Sequence, residues 1–150
     1  MFCLSKGLCA PVGSLLAGPR DFVEAARYKR KIMGGGMRQA GILAAAGIIA
    51  LTEQAGRLAE DHVRAKRLAQ GLAAIPGIVV RPEEVDINMV FFSFPQALDA
   101  GIAKGIVDFF AARDIVVSPP EQGMFRFVTH YWIGDSEIEA ILAASREVFK

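Results

Sequence analysis

A chain of 150 residues, 53% hydrophobic and 22% charged, is long enough to bury a core and too apolar for disorder. Lys and Arg number 17 against 16 acids, which argues against nucleic acid as the main partner, because phosphate binding leaves a marked cationic excess. Cys3 and Cys9 have no matching His or Cys cluster for zinc or a disulfide framework, and the longest apolar run, Ala40 to Leu51, is too short to span a bilayer. These features predict a soluble, cytoplasmic protein with reduced thiols.

Phe2-Cys3-Leu4 reads as the close of a buried strand, so the chain opens inside an element, and Val12 to Ala17 reads as a second short strand. Gly18-Pro19 then suits a helix start. The helix from Arg20 to about Met33 carries an apolar stripe of Phe22, Val23, Ala26 and Ile32. Arg27, Lys29, Arg30 and Lys31 gather near its C-terminus, where the dipole favours cations. Gly34-Gly35-Gly36 breaks it. Met37 to Glu53 is apolar on nearly every side, with Ala44 to Gly47 in its middle, and predicts a buried, closely packed helix. After Gly56, Leu58, His62, Ala65, Leu68, Ala69 and Leu72 share one face of an amphipathic helix from Arg57 to about Ala74, ended by Pro76-Gly77. Strands are predicted at Ile78 to Val80, Ile87 to Phe94, Ile115 to Ser118 and Phe125 to His130, with a helix from Leu98 to Arg113. Ser136 with Glu139 has the spacing of a capping box and announces a last helix from about Glu137 to Phe149. The order divides the chain into residues 1–54, the end of an α/β layer, and 55–150, a linking helix and a small α+β domain with helices on one face of its sheet.

Three places carry candidate chemistry. Lys6 follows a short apolar segment beside Gly7, where partial burial would favour a neutral amine able to condense with a carbonyl, although Ser-Lys-Gly also suits an ordinary surface turn. Gly34 to Gly36 precede Met37-Arg38 at the start of the apolar helix. Backbone N–H groups there, with Arg38 and the nearby Lys31, suit an anion; a solvated helix–helix link is the alternative. The Gly-Lys-Ser/Thr ending of a P-loop is missing. Arg126 interrupts an apolar strand, and alternation puts it with Val128 on one face and Phe125, Phe127 and Thr129 on the other. It faces either solvent or a carboxylate that its planar fork would suit. His62, beside Asp61, reads as a hydrogen-bonded interfacial histidine, while His130, beside Tyr131 and Trp132, stays open.

The stretches Cys3 to Ser14, Arg30-Lys31, Gly34 to Gly41, Glu60-Asp61-His62, Asn88-Met89-Val90 and Arg126 to His130 together resemble the C-terminal portion of low-specificity L-threonine aldolases. These are fold-type-I, aspartate-aminotransferase-like pyridoxal-phosphate enzymes within the aromatic amino acid β-eliminating lyase group. The resemblance covers nearly the whole chain and implies the end of the large α/β domain followed by a small C-terminal α+β domain. It implies pyridoxal 5′-phosphate as cofactor, carried by the lysine matching Lys6, and an arginine matching Arg126 that binds the substrate α-carboxylate. Arg38 matches an arginine near the cofactor phosphate, acting across a subunit interface, and Lys31 a lysine near the same pocket. The implied reaction of the complete enzyme, a homotetramer, is aldol cleavage of L-threonine or L-allo-threonine to glycine and acetaldehyde. The partners of the pyridine ring and the main phosphate loop of such enzymes lie upstream of the matched portion. This chain alone is therefore expected to bind cofactor poorly and turn over little substrate. A related β-eliminating lyase or aminotransferase is the alternative enzyme; a non-catalytic oligomerising module is the alternative of another class.

Overall fold

The computed structural model describes residues 1–149, which fall into two compact units divided after Leu58. In the first unit, β1 (Phe2–Cys3) pairs antiparallel with β2 (Ser14–Leu15), setting Phe2 opposite Leu15 and Cys3 opposite Ser14. Leu4 closes the intervening loop, its N–H donating to Gly13 O at 2.9 Å and its carbonyl accepting from Ala10 N at 3.0 Å. Leu4, Leu8, Ala10 and Ala50 form a small core with Leu58 packed against it. Glycines allow the close approach: a Cβ on Gly47 would lie 3.1 Å from Leu4 Cδ1, and one on Gly7 would lie 2.8 Å from Leu58 Cδ2. Of the expected buried strand Phe2 to Leu4, only Leu4 is buried.

Helix α1 (Arg20–Ile32) buries no residue, and its expected apolar stripe is largely open, with Phe22 and Ile32 both exposed. Helix α2 (Gly41–Ile49) runs on into a π-helical turn, Ala50–Gln54, where Thr52 Oγ1 donates back to Ile48 O at 2.9 Å. The expected buried helix from Met37 to Glu53 is thus shorter and more open. Gln39 at φ 49° keeps the segment before Ala40 out of the helix, and only Gly47 and Ala50 are buried, while Ile42, Ile48 and Ile49 face solvent. The physical reason is the size of the unit: two two-residue strands present too little surface to cover an all-apolar helix.

In the second unit, α3 (Leu58–Ala73) turns Ala65, Leu68, Ala69 and Leu72 inward at helical spacing, as its sequence predicts. Strand β3 (Met89–Phe92) pairs antiparallel with β4 (Phe125–Val128), with Val90 opposite Phe127 and Phe91 opposite Arg126. Helix α4 (Ala100–Ala111), capped by Asp99 accepting from Gly101 N at 2.7 Å, connects them, and α5 (Asp135–Val148) follows. The sheet's inner face and the three helices enclose one core of Leu68, Leu72, Val90, Phe92, Phe110, Phe125, Phe127, Ile138 and Leu142. The Phe92 ring stacks on Phe125 and Phe127 with centroids 5.3 and 5.2 Å away, and meets Phe94 and Phe149 edge-on.

Two predicted strands shrink. Residues 78–80 contribute one bridge, Val79 to Ser93, and 115–118 run without ladder bonds beside Pro119 and Pro120, which have no N–H to give. The start of α5 also differs from the capping expected of Ser136 and Glu139. Gly134 N–H donates to Glu137 Oε2 at 2.8 Å, and Ser136 Oγ donates to Glu137 Oε1 at 3.0 Å. These two bonds, the Ser136 hydroxyl foremost, hold the Glu137 carboxyl below the ordinary glutamate value.

Candidate active site

Lys6 stands at the head of a tight turn. Cys9 N–H donates to Lys6 O at 2.9 Å, and Cys9 takes φ 61°, a left-handed conformation that costs a non-glycine residue about 1 kcal/mol. Leu4 and Leu8 are drawn into the core on either side, so the lysine between them is pushed outward. Its side chain is exposed, in contrast to the partial burial expected, because the surrounding apolar residues point away from it. Among the described residues it has no carboxylate at ion-pair distance. The result is an exposed primary amine with no acidic partner among the described residues, so the desolvation that would activate it as a nucleophile is not supplied by these neighbours.

The glycine block does not start a helix; it ends one. Gly34, at φ 80°, donates to Lys31 O at 3.2 Å, and Gly35 donates to Arg30 O at 2.8 Å, the paired bonds of a Schellman motif closing α1. The expected anion site at a helix N-terminus is therefore absent from these glycines, since α2 begins only at Gly41. What remains is side-chain chemistry. The Lys31 chain lies over Gly36, where a Cβ would be 3.2 Å from both Cδ and Nζ. Arg38 is exposed in the bend before α2, and neither cation has an acidic partner among the described residues.

Arg126 lies in the second unit, on the outer face of β4 opposite Phe91, while Phe125 and Phe127 point inward as alternation requires. A cleft of about 310 Å³ surrounds it, lined by Phe91, Ser118, Pro119, Glu121, Gln122 and Met124. Its guanidinium has no ion pair among the described residues, leaving a planar fork of donors for a carboxylate. The cleft's other walls escape a reading of sequence order, since they meet only through the cross-strand register and the turn at Gln122-Gly123. Next to it, buried Thr129 holds β4 in place. Its Oγ1 donates to Asp61 O at 2.7 Å, its N–H to Asn88 O at 2.9 Å, and its own carbonyl accepts from Asn88 Nδ2 at 2.7 Å. His130 is exposed and accepts at Nδ1 from Trp132 N at 3.3 Å, the role of a turn-fixing residue; His62 is half-buried. Lys6, Lys31 and Arg38 thus share the first unit, and Arg126 belongs to the second.

The mixed architecture is that of the C-terminal part of fold-type-I enzymes: a candidate L-allo-threonine aldolase from Listeria monocytogenes EGD-E superposes with TM-score 0.76 at 20% identity, covering 97% of this chain and 43% of that one. Residues 1–95 match the model of the beta-eliminating lyases, and the chain belongs to that family. Low-specificity L-threonine aldolase 1 of Arabidopsis thaliana is 37% identical over 145 residues, covering 97% of this chain and 40% of its own length. The low specificity L-threonine aldolase of Escherichia coli strain K12 is 40% identical over 141 residues, covering 94% of this chain and 40% of its own. The chain therefore spans about two fifths of the length of these relatives.

Proposed function

We propose that this chain supplies the C-terminal part of a pyridoxal-phosphate-dependent aldehyde-lyase that cleaves L-threonine or L-allo-threonine to glycine and acetaldehyde. The observation that carries this is Lys6, an amine without an acidic partner among the described residues, held out from an anchored turn. The donor set fits the cofactor: an amine for its aldehyde, and two cations without acidic partners for its phosphate. When bound, pyridoxal phosphate supplies the electron sink for the pair released as Cα–Cβ breaks. Lys6 carries it, Lys31 and Arg38 balance its phosphate, with Arg38 reaching across a subunit interface of a homotetramer, and Arg126 grips the substrate carboxylate. That grip would fix how the amino acid is presented for cleavage, an orientation effect. Residues 1–54 end the large cofactor-binding domain and 55–150 form the linking helix and small domain of a cytoplasmic enzyme.

The chain alone should hold the cofactor weakly. Purified chain treated with pyridoxal phosphate, reduced with borohydride and digested for mass spectrometry is expected to carry a substoichiometric label concentrated on Lys6. Label spread evenly over the lysines would remove Lys6 from the role. Stoichiometric label with acetaldehyde release from threonine would show the isolated chain to be competent. Products from threonine, serine and tryptophan, measured on the complete enzyme, separate aldol cleavage from β-elimination and transamination.

A further inference from the structure

We propose that Thr129 and Asn88 are positioning residues for Arg126, clamping the end of β4 so that the guanidinium keeps its place opposite Phe91 on the outer face of the sheet. The segments that meet at this clamp lie far apart in sequence: Thr129 reaches Asn88 across 41 residues and Asp61 across 68. All of them belong to the second compact unit, with Arg126.

The pairing of Phe91 with Arg126 and of Met89 with Val128 makes Asn88 and Thr129 the next rung of the same ladder. Thr129 N–H donates to Asn88 O at 2.9 Å, as a ladder requires. The return bond comes from a side chain: Asn88 Nδ2 donates to Thr129 O at 2.7 Å, just beyond the last residue of the strand. The Thr129 hydroxyl adds a further tether, donating at 2.7 Å to Asp61 O in the first turn of α3. Thr129 and Asp61 are each 1% exposed, so water does not compete for that bond.

These bonds fix where the strand sits. A slip of one residue would turn Arg126 into the core and Phe125 and Phe127 out, and the burial of both rings opposes it. A slip of two keeps both rings inside while moving Arg126 from Phe91 to Met89 or Ser93. Side-chain alternation does not oppose that slip; the Asn88–Thr129 pair does. At the other end of β4, the bonds of 3.0 and 2.9 Å exchanged by Glu121 and Met124 are local to their turn and set no register with β3. Arg126 stands three residues, about 10 Å, from the clamp, and a misplacement of about 1 Å in an orienting group costs up to about a hundredfold in rate. The benefit to catalysis rests on the carboxylate role proposed above for Arg126; the clamp on β4 does not.

Steady-state kinetics of the complete enzyme test the benefit, and amide exchange of this chain by NMR tests the clamp. Thr129→Val keeps the shape and removes the hydroxyl, while Asp61 O, inside α3, retains its helical bond, so the fold is expected to survive. kcat/KM for L-threonine should fall about tenfold, but less than about twofold in the Arg126→Lys background, because the two residues act as one unit. Thr129→Ser keeps the donor and should stay within about twofold of the parent. Asn88→Ala, at a half-buried position, should repeat the Arg126-dependent loss. An equal loss in both backgrounds would place the effect elsewhere in the fold and overturn the proposal, as would no loss in the parent. Exchange at Phe127, whose N–H points to β3, should quicken about tenfold in Thr129→Val relative to Leu68 and Leu72 of α3, which report global opening. If Arg126→Lys alone leaves kcat/KM unchanged, the carboxylate role falls; the clamp then stands on a quickened Phe127 amide and falls with an unaltered one.

Discussion

Replacing Phe92 tests whether the stack of rings behind the sheet is what holds Arg126 on its outer face. Phe92 is 1% exposed and meets Phe94, Phe125, Phe127 and Phe149 with centroids 5.2 to 6.4 Å away. Phe92→Ala removes the ring from a closed core, and burial lost with cavity formed costs about 4 kcal/mol. Phe92→Leu refills most of the volume and forfeits mainly the ring pairs, so about 1–2 kcal/mol is expected. Urea unfolding followed by circular dichroism reads this directly. With a slope of about 1.5 kcal/mol per molar, the alanine variant should unfold roughly 2–3 M earlier than the parent, a large part of the stability of so small a unit. A midpoint within about 0.5 M of the parent would refute the reasoning, because the sheet would then owe little to this ring.

Arg126→Lys in the complete enzyme should leave stability within about 0.5 kcal/mol, since the residue is exposed, and lower kcat/KM by roughly 10–100-fold through loss of a charge-assisted contact, seen in steady-state kinetics. Gly71→Ala should lower the melting temperature: a Cβ there would lie 2.4 and 2.6 Å from the Leu142 Cδ atoms, and overpacking of about 2 kcal/mol outweighs the roughly 1 kcal/mol gained in helix propensity. Glu137 has a lowered value when folded, so its contribution is present above the ordinary glutamate range and fades as pH falls through the folded value. Amide exchange at the start of α5 should accelerate over that acid window, and Glu137→Gln should remove the pH dependence.

The sequence read well wherever one periodic pattern met one partner. Helix α3 and the inward Phe125 and Phe127 of β4 follow directly from apolar spacing, and the same alternation put Arg126 outside. It failed where two local signals competed. Three glycines suit a helix start as well as a helix end, and only the bonds from Gly34 and Gly35 back to Lys31 and Arg30 decide for the end. Lys6 was legible as an amine at the edge of an apolar segment, but its exposure depends on Leu4 and Leu8 both turning inward, which needs the reversal at Cys9. Phe91 entered the Arg126 cleft through strand register, a relation between distant segments that no window of sequence contains, whereas Met124 lies two residues from Arg126 on the same face.

The alternation along β4 has a genetic corollary. A change at Phe125, Phe127 or Thr129 strikes side chains packed inside, whereas one at Met124, Arg126 or Val128 strikes the solvent-facing surface. Variants of this strand therefore sort by parity: odd positions set how much protein survives in a cell, and even positions leave that amount largely unchanged.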